Sequence, residues 1–131
     1  MNRFDLEKRT KVFALRVIEF VATLPPTRAG QVIEYQLVKA GTSVGSNYRE
    51  ANRAESRNDF IHKIGIVEKE SSESLYWLEL CEDAGFGTAK KRSWLLQEAK
   101  ELLAIFTATS RTSKRKRADI RSAISQSRNS K

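Results

Sequence analysis

The sequence predicts an all-α protein, an antiparallel up-and-down four-helix bundle. Three observations predict it. Apolar residues recur at helical spacing in four stretches separated by short connections, and no stretch alternates with the period of a strand. Prolines number only two and adjoin each other, and there are only six glycines in 131 residues. Helices of this length with tight connections pack most simply as antiparallel neighbours.

The first helix is expected from about Asp5 to Leu24, with Leu6, Phe13, Val17, Phe20, Val21 and Leu24 on its inner face and Pro25-Pro26 as its stop. In the second, Ile33, Leu37, Ala40, Val44, Tyr48 and Ala51 keep one period straight through Gly41-Thr-Ser-Val-Gly45-Ser. Ser56 and Asn58-Asp59 offer N-cap chemistry for a third helix, whose stripe is Phe60, Ile64, Val67, Ser71, Leu75 and Leu78. Gly85-Phe-Gly87 is a natural left-handed stop. A fourth amphipathic segment runs from Trp94 to about Thr109 with Leu95, Ala99, Leu102, Leu103 and Phe106 inward.

The glycine-containing stretch invites a phosphate-loop reading, but no strand precedes it and no lysine follows Gly45. Gly41 and Gly45 lie one helical turn apart and let a neighbouring helix approach. A break, with Asn47-Tyr-Arg-Glu50 as a capping box, is the other reading. Because the apolar period does not slip, one continuous helix is expected.

Helical phase sets Ser43, Asn47, Glu50 and Ala54 along one edge of the core, and Ile66, Glu70, Glu73 and Trp77 along another. Two roles suit these stripes: a network joining the carboxylates to Asn47, Arg49 or Arg53, and an interface anchored by Trp77. A di-metal carboxylate bundle needs Glu-x-x-His motifs, and the single histidine, His62, belongs to none. Cys81, the one cysteine, is nineteen residues from His62 in no catalytic pattern, so a buried thiol and a surface imidazole are expected. The expectation is a protein without enzymatic activity, metal or cofactor.

Charge is unevenly placed. Of the 24 Lys and Arg and 16 Asp and Glu, eight and one respectively fall from Arg111 onward. The extension is therefore near +7 and the rest of the chain near +1. Residues 1–111 read as the bundle and 112–131 as a mobile basic extension. Its run Lys114, Arg115, Lys116 and Arg117, followed by Arg121, suits nucleic-acid phosphates, with Lys90, Lys91 and Arg92 as additional candidates. No base-reading motif accompanies them. No signal peptide or membrane-length apolar run is visible, so a cytoplasmic protein is expected.

The motif Leu37-x-x-Ala40-x-Thr-Ser-Val-Gly-Ser-Asn-Tyr-Arg-Glu-Ala51 resembles a known family, the bacterial four-helix-bundle proteins first noticed as reading frames within intervening sequences of 23S ribosomal RNA genes. Leu6-x-x-Arg9-x-Lys-Val-Phe13, Ser56-x-x-Asp59-Phe-Ile-x-Lys63, Glu70-x-x-Glu73 and Tyr76-Trp77-Leu78 extend the resemblance over residues 4–108. It implies a four-helix bundle, in several relatives a homopentamer, and no known enzymatic activity. A related bundle is an accessory protein to the reverse transcriptase of diversity-generating retroelements. Gly41 and the long basic extension depart from the family's usual pattern. The combined expectation is a homo-oligomeric bundle that binds RNA or DNA through phosphates; the alternative is a protein-interaction scaffold docking through the Trp77 stripe.

Overall fold

The computed structural model describes residues 1–129 and contains four helices: α1 (Arg3–Val21), α2 (Arg28–Ala51), α3 (Arg57–Ala84) and α4 (Ala89–Asn129). Their starts follow local chemistry. The side chain of Asn2 accepts from the Asp5 amide at 2.9 Å while Asp5 accepts from the Asn2 amide, a complete capping box. Thr27 caps α2 through the Gly30 amide, and Ser56 caps α3 through the Asp59 amide at 3.1 Å. Gly85 ends α3 at φ 69°, a left-handed position that a Cβ would strain. α1 stops at Val21, three residues before the expected end, and Pro25-Pro26 lie in the connection.

α2 is helical throughout, and the capping-box break at Asn47 does not occur. Thr42 and Ser43 donate their hydroxyls back to the Val38 and Lys39 carbonyls at 2.7 and 2.6 Å, so these small polar residues remain compatible with a helix. The glycines let α1 approach. A Cβ built on Gly41 would meet Val17 Cγ2 at 3.0 Å, and one on Gly45 would meet Thr10 Oγ1 at 3.1 Å.

The helices pack in chain order, α1 on α2, α2 on α3, α3 on α4, with a thinner α1–α4 seam closing the bundle. Phe13, Phe20, Leu37, Ile64, Leu78, Leu95, Leu102 and Phe106 fill the centre. On α3 the buried line is Ile61, Ile64, Val67, Ser71, Ser74, Leu78 and Cys81. Phe60 and Leu75, expected there, are half-buried beside it. The apolar period alone could not place Ser74, whose hydroxyl is satisfied by the Glu70 carbonyl at 2.8 Å.

The largest difference from expectation is α4. It begins at Ala89, five residues before Trp94, and continues as one helix through the basic segment to Asn129. No glycine or proline follows Gly87, so nothing in the sequence breaks the helix. Burial fades in steps: Ser110 and Ser113 are buried, Arg117 is half-buried, and residues 118–129 are all exposed. The last two residues of the expected extension, Ser130 and Lys131, lie outside the described residues. No helix among the described residues is long and apolar enough to cross a membrane.

Candidate nucleic-acid interface

Continuous helix turns a run of basic residues into a surface with a direction. Lys114, Arg117, Arg121 and Arg128 are spaced by three, four and seven residues, so they share one side of α4. Ile120 and Ile124, 46% and 48% exposed, run beside that stripe. Arg115 and Lys116 turn to other sides of the helix, and Lys116 borders a groove of about 440 Å³ with Arg57 and Phe60 of α3. Arg117 donates from Nη1 to Asn58 Oδ1 at 3.2 Å, which fixes the start of α3 against α4. From Ala118 to Asn129 the helix extends roughly 18 Å with every residue exposed.

Lys90, Lys91 and Arg92 do not join this stripe. The helix between Arg92 and Lys114 is about 33 Å long at 1.5 Å per residue, so the two groups occupy opposite ends of the bundle. Arg92 is committed to structure: its Nη1 donates to the Phe86 and Gly87 carbonyls at 2.8 and 3.2 Å, tying the α3–α4 turn. Lys91 Nζ lies 3.9 Å from Glu19 Oε2, and Lys90 is exposed.

The α2–α3 flank is assembled only in part. Asn47 donates its amide to the Ser43 carbonyl of its own helix at 2.8 Å. Arg49 turns to α1, where Nε lies 3.6 Å from Glu7 Oε1, and Asn52 Nδ2 donates to the other Glu7 oxygen at 2.9 Å. Of the three partners expected for the carboxylates, Asn47, Arg49 and Arg53, Arg49 is therefore turned to the α1 edge of α2 and Asn47 bonds within its own helix. Glu70 and Glu73 do lie close to each other. Burial, reinforced by the Glu73 charge, holds the Glu70 carboxyl above the usual carboxylate range, while Lys69 and Lys39 oppose the shift. Trp77 is half-buried with its ring edge-on to Tyr76 at 5.1 Å, and its indole N–H has no acceptor among the described residues.

Two clusters escaped sequence reasoning. Arg9 clasps α4 by donating Nε and Nη2 to the two oxygens of Glu98 at 2.9 and 2.6 Å, with Glu101 at 3.2 Å. Arg9 and Glu98 are 89 positions apart, so no local spacing announces them. At the start of α4, the Arg16 guanidinium lies over the Trp94 ring, 5.7 Å from its centroid. A tryptophan one position off the core stripe was the available signal. Elsewhere, Cys81 is buried and its thiol is pushed up to about 11 by burial. His62 lies on the exposed side of the same helix, about 28 Å along it, so the two cannot act as a catalytic pair. Among the described residues no three His, Cys, Asp or Glu side chains gather as a metal site would require.

Comparison with known proteins adds a family. The sequence profile described as "23S rRNA-intervening sequence protein" matches residues 2–108. Among solved structures, the chain is similar to a protein of unknown function from the S23 ribosomal protein family of Bacteroides thetaiotaomicron. Identity to it is 30% and the TM-score 0.75, with 85% of this chain and 99% of that one covered. No match is found among curated proteins. The profile stops before the projecting basic half of α4 begins.

Proposed function

The chain belongs to the 23S rRNA-intervening sequence protein family, and from that premise we propose that it binds nucleic acid, RNA in the first instance, through phosphate contacts made by the projecting end of α4. The observation that supports this reading is the stripe Lys114, Arg117, Arg121 and Arg128, which starts on the last packed turns of α4 and runs out along its projecting end, a stretch with a single acid, Asp119, from residue 111 on. An exposed helix can lie along a phosphate backbone without entering a groove, and Lys and Arg there release condensed counterions. Phosphate contacts position a protein without reading sequence, and the projection lacks aromatic residues. Assembly of several copies into a homo-oligomer would gather several projections and convert weak contacts into avidity.

The test compares the full chain with a chain lacking residues 112–131 on structured ribosomal RNA and on RNA of random sequence. The reading expects the shortened chain to lose affinity for both and to lose the steep dependence on salt. Equal affinity of the two chains would reject it.

A second reading, a protein-docking scaffold or accessory subunit, is favoured by the Trp77 flank. From Glu70 to Asp83, α3 carries five acids and no base, alongside the Trp77 N–H, unpartnered among the described residues, and the 56%-exposed Tyr76. Aromatic anchors of this kind dominate interfaces. On this reading Trp77→Ala removes self-assembly or partner capture and leaves polyanion binding intact, whereas retained assembly would count against it.

A further inference from the structure

We infer that the cleft between the C-terminal end of α1 and the start of α4 is a second, distinct nucleic-acid subsite, one that takes an unpaired nucleotide by stacking its base on Trp94 and holding its phosphate with Lys90, Lys91 and Arg16. This deepens the nucleic-acid reading above and rests on it, but its residues are separate from the projecting stripe.

The cleft has a volume of about 360 Å³ and is lined by Arg16, Glu19, Thr88, Lys90, Lys91 and Trp94. That volume lies within the range of small-molecule sites and suits one nucleotide unit. Three of its lining residues are cationic and one is acidic, so the cleft carries a net charge near +2. The acid is already shared: Glu19 Oε2 lies 3.4 Å from Arg16 Nη1 and 3.9 Å from Lys91 Nζ. Lys90 has no partner among the described residues. The cleft thus has cationic capacity beyond what its own carboxylate uses.

Trp94 supplies what the projecting end of α4 lacks. Its side chain is directed off the core line formed by Leu95, Ala99 and Leu102, and it is 44% exposed. Arg16, itself half exposed, holds its guanidinium carbon over that ring, 5.7 Å from the centroid. The face that attracts this cation is the same indole face on which a nucleobase stacks. The base replaces the guanidinium on the ring, and the freed Arg16 joins Lys90 and Lys91 at the phosphate. Lys90 and Trp94 are one helical turn apart on α4, which places an anion and a ring on the same side. Duplex nucleic acid hides its base faces, so this cleft selects single strands while the basic stripe accepts either form.

The experiment uses the full chain carrying Trp77→Phe, which leaves Trp94 as its only tryptophan. The probes are a short oligouridylate, a blunt RNA duplex and inorganic phosphate. The expected result is quenching of Trp94 fluorescence by the oligouridylate and none by inorganic phosphate at equal concentration. Trp94→Ala, in the otherwise native chain, weakens oligouridylate binding on the order of 10- to 100-fold and leaves duplex affinity unchanged; Trp94→Phe restores most of the loss. Lys90→Gln with Lys91→Gln weakens oligouridylate binding and flattens its salt dependence. Normal duplex binding with no Trp94 quenching, or oligouridylate binding indifferent to Trp94→Ala, overturns the subsite alone. A chain that binds neither oligouridylate nor duplex overturns the nucleic-acid reading itself.

Discussion

Arg117 of α4 hydrogen-bonds to Asn58 at the start of α3, 3.2 Å from Nη1 to Oδ1, and this contact marks where the bundle ends. On one side of it Phe106, Ser110 and Ser113 are buried; on the other, residues 118–129 are all exposed. A helix end without tertiary contacts is held by propensity alone, and isolated turns are marginal in water. Amides of residues 118–129 are therefore expected to exchange with solvent far faster than those of residues 95–106, as hydrogen exchange would measure. Protection of the two segments to the same degree would mean that the projection is packed against something.

Gly41 and Gly65 are both helical glycines, and their replacement by alanine is expected to have opposite signs. At Gly41 the added carbon meets Val17 Cγ2 and Cγ1 at 3.0 and 3.2 Å, and Val17 is fully buried. Overpacking of that kind costs about 1–3 kcal/mol, more than the gain of about 1 kcal/mol in helix propensity. At Gly65 nothing lies within 4 Å of the added carbon. There Gly65→Ala is expected to stabilise by about 0.5–1 kcal/mol. Urea denaturation of both variants tests the pair; equal signs would contradict the close approach of α1 and α2.

The α1–α4 seam depends on Arg9. Its guanidinium and the Glu98 carboxylate are 21% and 12% exposed, and their bond is bidentate. Arg9→Ala leaves Glu98 half-enclosed without its cation, and a loss of about 1–2 kcal/mol is expected after discounting for solvent. In a double-mutant cycle Glu98→Gln recovers part of that loss. Additive effects of the two substitutions would show that the pair is not coupled.

Glu70 gives the protein a pH signature. Burial, with Glu73 next, raises its carboxyl above the usual range in the folded state. The folded protein thus keeps a proton that the unfolded chain has released. The resulting stabilisation is present in acid, below the unfolded value, and is lost as pH rises through the raised one. Glu70→Gln should accordingly raise the melting temperature at about pH 7 and do so much less at about pH 4, near the ordinary glutamate value. A substitution effect independent of pH would remove Glu70 from this role.

Much of the fold was legible because the signals are local. The caps at Ser56 and Gly85, the inward lines of α1 and α2, and the unbroken period through Gly41 and Gly45 all follow from spacing within one helix. Two kinds of feature were not. Small polar residues such as Ser74, Ser110 and Ser113 are buried at helix contacts, where size and not hydropathy decides, so a hydrophobic pattern ends too early on α4. Contacts between helices, Arg9 with Glu98 and Arg16 with Trp94, depend on register across the bundle, which no single helix encodes. For the same reason the basic residues at 90–92 and 114–121 looked like one patch in sequence. A straight helix sets them apart.

The central claim is that four cations on one side of α4 hold phosphates. Its most direct test is the salt dependence of RNA-duplex binding for the full chain and for a chain with Lys114, Arg117, Arg121 and Arg128 all replaced by Gln. For B-form DNA the slope of log affinity against log salt is about −0.9 per phosphate neutralised, and an RNA duplex of similar charge density is expected to follow it. Loss of the stripe is therefore expected to make the slope shallower by about 3–4 and to weaken binding at low salt for every sequence alike. An unchanged slope would contradict the account.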